Sequence, residues 1–245
     1  MNAQAIVLAA GEGTRLRPHT ADLPKCLVQV GDRPLLERAL TSIEQAGIGE
    51  AVLVTGYRAD RIEEFLARRA SRLRVRTVFN PDYATTNNAV SLWCARALMT
   101  ETFVLLDGDL LFEPEVLRRT LVADGDAVIA VERRKTLGDE EMKVLLHPDG
   151  TVAAVNKQVD PAAAVGEAIG IARFGVETGR RLFAQLGAQV AEGRTDVFYE
   201  KAFEELMAAG QGFRVADVSG LSCMEIDTPE DLDRARRLAQ EMESR

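Results

Sequence analysis

Residues 8–18 read LAAGEGTRLRP, a glycine-rich turn that directly follows an apolar run. The apolar run at 4–10 predicts a buried strand. Gly11 and Gly13 then predict a tight turn at its carboxyl end, where an open α/β sheet forms its ligand crevice. Backbone N–H groups of such a turn can approach phosphate oxygens, and Arg15 can add a bidentate charged contact. These residues favour a triphosphate-binding loop, and they leave a simple strand-to-helix turn as the alternative.

Two other glycine-rich motifs do not fit this stretch. A dinucleotide-binding fingerprint needs a third glycine, and Leu16 stands at that position. It also needs an acidic residue at the end of the second strand, where the sequence has Thr55, Gly56 and Tyr57. A Walker A loop closes with Gly-Lys-Ser or Gly-Lys-Thr, and this loop does not. A nicotinamide-dependent dehydrogenase is therefore a weak alternative.

The chain after the loop alternates between strands and helices. Apolar runs predict strands at 51–55, 74–79 and 103–106, and helical spacing predicts helices at 34–46, 60–69 and 88–99, the first with Pro34 as its first residue. Nearly continuous apolar strands separated by helices are typical of a parallel sheet that is covered on both faces. We therefore expect a three-layer α/β fold with a mostly parallel, doubly wound, Rossmann-like sheet.

The pattern changes after a further strand at 127–131. An Asp-Gly turn at 149–150 between apolar runs predicts a β-hairpin of 143–146 and 152–155. A strand at 168–174, two helices, a strand at 213–218 and a final helix that Thr228 caps complete the chain. We expect one domain over 1–245, with a nucleotide-binding core at 1–131 and a small hairpin and helical elaboration at 132–245 that binds the acceptor.

Composition restricts the possible partners. Among 245 residues, 38 are acidic and 30 are Lys or Arg, and the net charge of −8 disfavours nucleic acids and anionic membranes. The chain has no membrane-length apolar run, and residues 1–4 show no basic leader, so we expect a cytoplasmic protein. Three cysteines without C-x-x-C spacing and two histidines argue against a disulfide framework, a zinc site and a Ser-His-Asp triad. Small molecules are the expected partners.

The glycine-rich loop continues into TADLPKCLV at 20–28. With this continuation, residues 8–27 resemble the nucleotidyltransferases that join a nucleoside triphosphate to a phosphorylated small molecule. The family motif is L-A-A-G-x-G-T-R-x-x-P-x-T followed by P-K. The resemblance implies that Arg15 and Lys25 are the catalytic, phosphate-binding pair. It also implies nucleotide contacts along the loop, at Leu8, Ala9, Ala10, Gly11, Glu12, Gly13 and Thr14.

Two aspartates follow the strand at 103–106. Asp107 and Asp109 are two residues apart, so both side chains can point into the crevice, where Mg²⁺ takes one or two carboxylates together with water and phosphate. A solvated turn is the structural alternative. In the resembled family this position supplies one metal ligand, which matches Asp109, and a late acidic residue supplies another, which matches Asp227. Asp107 is expected to contact the nucleotide.

A polar segment at 80–93 contains the pattern Y-x-x-T-N-N-x-x-S-L. This pattern resembles the CTP:phosphocholine and phosphonate cytidylyltransferases, and it implies CTP as the nucleotide and Asn87, Asn88 and Ser91 as nucleotide-binding residues. An asparagine carbonyl could accept a hydrogen bond from the cytosine amino group, where uracil has an oxygen. The alternative is that Asn88 or Ser91 only caps a helix.

The acceptor is expected to contact the second half of the chain. The sequence has Asn156-Lys157-Gln158 where sugar-nucleotide enzymes of this family typically have E-K-P, so a sugar acceptor is disfavoured. The resemblance favours Lys157 as the residue that binds the acceptor phosphate, and Lys143 is a second candidate. An anionic, partly aromatic corner could bind an amine or a quaternary ammonium group. Its candidate residues are Glu167, Asp196, Tyr199 and Glu200.

These observations together predict a Mg²⁺-dependent cytidylyltransferase. It would join CTP to a phosphorylated amino alcohol or an aminophosphonate and release pyrophosphate, without a general base, because a phosphate monoester is already largely dianionic at neutral pH. One alternative is a sugar-1-phosphate or inositol-phosphate nucleotidyltransferase that uses CTP, UTP or dTTP. A second alternative is a non-catalytic nucleotide-binding regulatory module, which would not need Arg15, Lys25 and the aspartates.

Overall fold

A nine-stranded sheet lies at the centre of the computed structural model, which describes residues 3–99, 101–133 and 136–244. The strands in these ranges are β1 (Ala3–Ala9), β2 (Gln29–Val30), β3 (Arg33–Pro34), β4 (Glu50–Thr55), β5 (Arg74–Phe79), β6 (Thr102–Asp107), β7 (Leu110–Phe112), β8 (Ala127–Glu132), β9 (Lys143–Leu146), β10 (Val152–Asn156), β11 (Gly166–Phe174), β12 (Arg214–Asp217) and β13 (Cys223–Glu225). The α-helices are α1 (Leu35–Gln45), α2 (Ala59–Arg68), α3 (Asn88–Cys94), α4 (Pro114–Val122), α5 (Val176–Ala191), α6 (Glu200–Ala208) and α7 (Pro229–Glu243).

The central strands β5, β4, β1 and β6 run parallel to one another in that order. Alternate residues of β1 contact different apolar layers, because successive side chains of a strand point to opposite faces. Val7 packs in a cluster with residues of α1, α2 and α4, whereas Ile6 packs in a cluster with residues of α3, α5 and α6. The sheet is therefore covered on both faces, and the predicted three-layer fold is confirmed.

Strand β11 joins the second half of the chain to this sheet. Its residues 171–174 pair antiparallel with β6, and its first residues, Gly166 and Glu167, pair with β9 beyond the carboxyl end of β6. On its other edge β11 pairs with β8, which in turn pairs parallel with β12. The predicted hairpin of β9 and β10 forms, and it continues the main sheet past the end of β6. This placement puts the hairpin beside the crevice at the carboxyl ends of the parallel strands.

Several element boundaries differ from the sequence-based expectation. Pro34 does not begin α1, because it has extended backbone angles and belongs to β3, where it pairs with Gln29 of β2. Helix α3 ends at Cys94, and a 3-10 turn replaces its last part at 95–98. Strands β7 and β13 and helix α4 were not expected from the sequence. The two strands have three residues each and pair with each other across more than a hundred residues, so neither carries a local periodicity.

The C-terminal helix packs against the glycine-rich segment. Leu16 and Leu232 are fully buried in one small cluster, which also contains Ile226 and Ala235. Thr228 caps α7 through a reciprocal pair of hydrogen bonds with Asp231, as the sequence predicts. Within the described ranges, none of the helices combines the length and apolar character that crossing a membrane requires.

Candidate active site

The glycine-rich loop is fixed by its own backbone geometry and by the segment that carries Lys25. Gly13 has φ 60° and ψ 42°, a left-handed conformation that favours glycine, and the Thr20 hydroxyl donates to its carbonyl oxygen at 2.7 Å. A Cβ atom at Gly13 would lie 3.0 Å from the Cβ of Lys25. The glycine-rich loop and Lys25 are therefore packed against each other.

Gly108 brings the two aspartates onto the end of β1. Its N–H donates to the Leu8 carbonyl oxygen at 2.8 Å, and a Cβ atom at this position would lie 2.4 Å from that oxygen. Only glycine fits such a close approach of two backbones. The side chains of Asp107 and Asp109 consequently line the same cavity next to the glycine-rich loop.

Four charged side chains meet at the mouth of this loop. The Lys25 ammonium nitrogen lies 2.7 Å from Asp109 Oδ2 and 2.5 Å from Asp227 Oδ1. The Arg15 guanidinium lies 2.8 Å from the other Asp227 oxygen. Burial by itself lowers the pKa of Lys25, but Asp109 and then Asp227 outweigh that cost, and the pKa is raised above its ordinary value. We call these residues, Arg15, Lys25, Asp109 and Asp227, the charge cluster.

Backbone pairing explains how Asp227 reaches the charge cluster from the far end of the chain. Glu225 pairs with Leu110 where β13 meets β7, and the Ile226 N–H donates to the Asp109 carbonyl oxygen at 3.1 Å. The next residue, Asp227, is thereby placed beside Asp109. Because the capping of α7 uses the side chains of Thr228 and Asp231, the Asp227 carboxylate is available to the charge cluster.

The two carboxylates of the charge cluster fit a divalent cation. Asp109 Oδ1 is buried and has no hydrogen-bond partner, and both carboxylates already contact one positively charged group. Within the described ranges, no group of three or more His, Cys, Asp or Glu side chains is arranged to hold a metal ion. Two carboxylates are what Mg²⁺ commonly takes from a protein, with water and substrate phosphates as the remaining ligands.

A cavity of about 600 Å³ extends from the charge cluster between the two halves of the sheet. One part, the nucleotide side, is lined by residues of the first half, including Leu8, Ala10, Gly11, Arg15, Tyr83, Thr86, Asn87, Asn88 and Ser91. The other part, the acceptor side, is lined by Glu140, Glu141, Met142, Lys157, Glu167, Ala168, Phe198, Glu200, Met224 and Glu225. A smaller cavity of about 270 Å³ adjoins the loop, with Ala9, Gly13, Thr14 and Lys25 among its lining residues.

The asparagines of the nucleotide side already use their carbonyl oxygens. Asn87 Oδ1 accepts from the Asn88 N–H at 2.8 Å, and Asn88 Oδ1 accepts from the Tyr199 N–H at 2.9 Å. Asn87 is the residue that caps α3, so the capping alternative does not apply to Asn88 or Ser91. Each carbonyl oxygen retains a second lone pair, so the hypothesis that an asparagine carbonyl accepts from the cytosine amino group stays a prediction.

Acidic side chains with raised pKa values characterise the acceptor side. Burial raises the pKa of Glu200 to about 7, and burial together with the nearby Asp109 and Asp227 raises the pKa of Glu225 to about 8. The pKa of Asp107 is also well above its ordinary value, first because of burial and then because of Asp109. Each of these carboxyl groups therefore gives up its proton less readily than in water.

A half-buried lysine, Lys157, faces the acceptor side. The Lys157 ammonium lies 3.0 Å from Glu140 Oε2 and 5.5 Å from the centre of the Phe198 ring. Glu140 is almost fully exposed, with 86% of its side chain accessible, so this ion pair is open to solvent. The sequence did not indicate Glu140 or Phe198, because no spacing relates either residue to Lys157.

Four predicted site residues do not line either cavity. Lys143 is fully buried, and its ammonium donates to the carbonyl oxygens of Gly138 and Glu141 at 2.9 and 3.2 Å, so it holds the loop that carries Glu140 instead of an acceptor phosphate. Tyr199 is buried behind the cavity, and its hydroxyl donates to Asp107 Oδ2 at 2.8 Å. Glu12 lies beside Arg17, and Asp196 is exposed.

Other lining residues were missed by the sequence analysis. They include Tyr83, Thr86, Glu141, Met142, Phe198 and Glu225. Tyr83 and Thr86 belong to the same polar motif as Asn87, and Glu225 directly precedes the Ile-Asp pair at 226–227, so proximity to a motif was the available signal. Glu141 and Met142 carried no such signal, because they enter the site through the pairing of β9 with β11.

A parallel sheet with a glycine-rich loop at its carboxyl edge, and paired carboxylates beside that loop, defines a nucleotide-binding α/β protein. The family model described as the MobA-like NTP transferase domain matches residues 5–167, and the chain belongs to this family. The resemblance found in the sequence is thus confirmed at the level of the family.

Relatives of the chain include cytidylyltransferases. The chain is 31% identical over 241 residues to the CMP-5'-(3-aminopropyl)phosphonate synthase of Streptomyces rubellomurinus. This alignment covers 95% of this chain and 38% of the relative. The chain is 32% identical over 245 residues to the bifunctional IPC transferase and DIPP synthase of Rubrobacter xylanophilus, covering 97% and 51%. The choline-phosphate cytidylyltransferase of Streptococcus pneumoniae is 36% identical over 110 residues, covering 45% and 46%. The chain therefore spans about two fifths of the length of the first of these relatives and about one half of the second.

Solved structures share the fold. The CTP:phosphocholine cytidylyltransferase of Streptococcus pneumoniae aligns with a TM-score of 0.81 at 23% identity, covering 98% of this chain and 100% of that one. The inositol-1-phosphate CTP transferase of T. maritima aligns with a TM-score of 0.82 at 24% identity, covering 99% and 96%. The Rossmann-like architecture expected from the sequence is confirmed by these two structures.

Proposed function

We propose that this protein is a Mg²⁺-dependent cytidylyltransferase that joins CTP to the phosphate or phosphonate group of a small amine-bearing acceptor. The observation that carries the proposal is the charge cluster, which stands between the glycine-rich loop and an acid-lined acceptor side. The first feature suits a triphosphate, and the second suits a ligand with a positive charge. Phosphocholine, phosphoethanolamine and aminoalkylphosphonates combine an anionic end with a cationic end.

The charge cluster would act by positioning and by charge neutralisation. An acceptor oxygen forms a bond to the α-phosphorus of CTP, the bond from that phosphorus to the bridging oxygen breaks, and pyrophosphate leaves with the electron pair. Arg15 and Lys25 would offset the negative charge on the phosphate oxygens, in exchange for their contacts with Asp109 and Asp227. Asp109 and Asp227 would hold Mg²⁺, whose chemistry is to neutralise the triphosphate. No general base is required, because the acceptor is already an oxyanion near pH 7.

The acceptor side supports a cationic group on the acceptor. Glu200 is a buried carboxyl group whose ionised form is costly without a neighbouring positive charge, and desolvation together with Asp109 and Asp227 raises the pKa of Glu225. A bound ammonium group would supply that charge, and the Phe198 ring could add a cation–π contact. Lys157 is the group that would bind the acceptor phosphate, after giving up its ion pair with Glu140.

An inositol phosphate is the second candidate acceptor. The relative named as an IPC transferase and DIPP synthase aligns over 97% of this chain. Hydroxyl groups of a polyol can donate to carboxylates, so Glu200 and Glu225 could also bind such an acceptor. A polyol, however, brings no positive charge to favour the ionised forms of these carboxyl groups, which is why the amine is preferred.

The test is a pyrophosphate-release assay with Mg²⁺ that crosses CTP, UTP, GTP and ATP with five acceptors. These acceptors are phosphocholine, phosphoethanolamine, 2-aminoethylphosphonate, inositol 1-phosphate and glucose 1-phosphate. We expect release with CTP and at least one amine-bearing acceptor, and none after chelation of the metal. Release only with UTP and glucose 1-phosphate would contradict the proposal, and release with CTP and inositol 1-phosphate alone would favour the second candidate.

A further inference from the structure

The nucleotide side of the cavity presents hydrogen-bond donors that have no protein partner. Asn88 lines the cavity, and its carbonyl oxygen is held by the Tyr199 N–H at 2.9 Å. The amide nitrogen of Asn88, which can donate two hydrogen bonds, has no partner among residues 3–99, 101–133 and 136–244. The side chain therefore offers a donor to whatever occupies this part of the cavity.

The side chains of Ser91 and Asn87 also offer hydrogen-bond donors to the cavity. The Ser91 oxygen accepts from the amide nitrogen of Asn80 at 3.0 Å, which leaves the Ser91 hydroxyl proton free to be donated. The Asn87 carbonyl caps α3 through the Asn88 N–H, which leaves the Asn87 amide nitrogen as its other polar group. Three lining residues, Asn87, Asn88 and Ser91, therefore each engage an oxygen within the protein and keep a donor without a partner in the described part of the chain.

We propose that the Asn88 amide nitrogen donates to N3 of the cytosine base, and that this contact selects CTP over UTP. The inference rests on the proposed function, because it names the group that distinguishes the nucleotide in the same site. Cytosine has two adjacent acceptors, O2 and N3, on its pairing edge, whereas uracil has an N–H group at N3. A donor that faces the uracil N–H leaves two polar hydrogens opposed and unpaired, and this weakens the binding of UTP.

The orientation of Asn88 is fixed by the position of Tyr199. Tyr199 is only 2% exposed, its hydroxyl donates to Asp107 at 2.8 Å, and its ring centre lies 5.2 Å from that of Phe203. A reversed Asn88 amide would place its nitrogen against the Tyr199 N–H, donor against donor. Tyr199 is thus a positioning residue for Asn88. The residues on either side of Tyr199, Phe198 and Glu200, line the acceptor side. One short segment therefore borders the acceptor side and also contacts Asn88 of the nucleotide side.

The substitution Asn88→Asp tests this assignment with nearly the same shape. One carboxylate oxygen of the variant can still accept from the Tyr199 N–H, and the other presents an acceptor to the base, which matches the uracil N–H. We expect the ratio of kcat/KM for CTP over that for UTP to fall by about 10- to 100-fold, the range of one misplaced hydrogen bond. Calorimetric titration with each nucleotide should show the same shift in affinity without turnover.

Asn87→Asp is the matched control, because it adds the same charge one residue away. We expect it to weaken both nucleotides to a similar extent through repulsion of the triphosphate, and to leave their ratio within about 3-fold. Asn88→Ala removes the donor without adding charge, so it should also lower the ratio, and it decides the question if the aspartate variant does not fold. An unchanged ratio in a folded Asn88 variant would overturn the inference.

The role of Tyr199 has its own test. Tyr199→Phe keeps the ring and the backbone and should keep the CTP:UTP ratio, whereas Tyr199→Ala removes the packing that fixes the segment and should lower the ratio. A ratio that stays unchanged in folded Tyr199→Ala would contradict the positioning role. Wild-type protein that turns over UTP as well as CTP would contradict the proposed nucleotide itself, whereas wild-type preference for CTP that survives Asn88→Asp would overturn only this inference.

Discussion

The nucleotide side and the acceptor side of the cavity differ in how their charges are balanced. On the nucleotide side, Lys25 lies within 2.7 Å of both Asp109 and Asp227, and Arg15 completes the cluster. On the acceptor side, burial dominates and raises the pKa values of Glu200 and Glu225 to about 7 and 8. The first region can exchange internal partners for an incoming metal and triphosphate. The second has carboxyl groups that keep their protons to an unusually high pH, so a ligand that brings a cation would favour their ionised forms.

The largest effect on activity is expected from removing a cation of the charge cluster. Lys25→Ala removes a cation that would contact the phosphates and leaves Asp109 and Asp227 facing each other without their shared partner. We expect kcat to fall by about 10²- to 10³-fold, as for the loss of one preorganised charge contact. Pyrophosphate release with saturating CTP and acceptor measures this. Arg180→Ala, which removes an exposed surface cation, is the control, and equal activity of both variants would refute the role of Lys25.

A smaller effect is expected from neutralising the acidic side. Glu200→Gln should raise KM for an amine-bearing acceptor by about 10-fold, because hydrogen bonds to charged groups contribute about 1.5–3 kcal/mol, and it should leave KM for CTP nearly unchanged. In the wild type, KM for the amine acceptor should fall as the pH rises through about 7, since Glu200 binds a cation in its ionised form. Steady-state kinetics from pH 6 to 8.5 would show this dependence, and a dependence that persists in the glutamine variant would exclude Glu200 as its source.

The raised pKa of Glu200 should also affect the pH dependence of the free energy of unfolding in the protein without ligands. The pKa of Glu200 rises from 4.5 to about 7 on folding, so between these values the folded state binds more protons than the unfolded state. The contribution of Glu200 to the free energy of unfolding therefore decreases as the pH rises from about 4.5 to about 7. Urea denaturation at pH 5.5 and pH 8 should show a smaller decrease for Glu200→Gln than for the wild type. An identical decrease in both proteins would mean that folding does not raise the pKa of Glu200.

The smallest effect is expected at the exposed edge of the acceptor side. Glu140→Gln removes the carboxylate that pairs with Lys157, so the acceptor phosphate no longer competes with it. We expect KM for the acceptor to fall by about 2- to 3-fold, because solvent-exposed ion pairs contribute little. Glu115→Gln, which removes a carboxylate from another exposed ion pair, should leave KM unchanged. A higher KM in Glu140→Gln would indicate that Glu140 helps to bind the acceptor.

The two sides also differ in how far they could be predicted from the sequence. The nucleotide side depends on local constraints that leave a pattern, such as the left-handed Gly13 and the close approach of Gly108 to Leu8. Those constraints restrict residue type at neighbouring positions, so the loop and the Asp107-Gly108-Asp109 turn could be named from the sequence, whereas Lys25 was named through family resemblance. Asp227 was named through family resemblance, and the structural reason for its place is the pairing of β13 with β7.

The acceptor side leaves no such pattern. Its lining comes from a loop, from a hairpin and from the segment before α6, which are brought together by the antiparallel strand β11. Lys143 and Lys157 have the same chemistry in the sequence, yet pairing in β9 buries the first and leaves the second at the cavity. The sequence could also not show that the Asn88 carbonyl is occupied, because its partner Tyr199 lies 111 residues away.

We propose that Asp109 and Asp227 together hold a divalent ion on the triphosphate. The most direct test is electron paramagnetic resonance of Mn²⁺, which can replace Mg²⁺, titrated with protein in the presence and absence of CTP. We predict that wild-type protein with CTP binds the ion at one site per chain, and that combined Asp109→Asn and Asp227→Asn substitution abolishes this binding while circular dichroism shows an intact fold. Equal Mn²⁺ binding by the folded double variant and the wild type would contradict the claim.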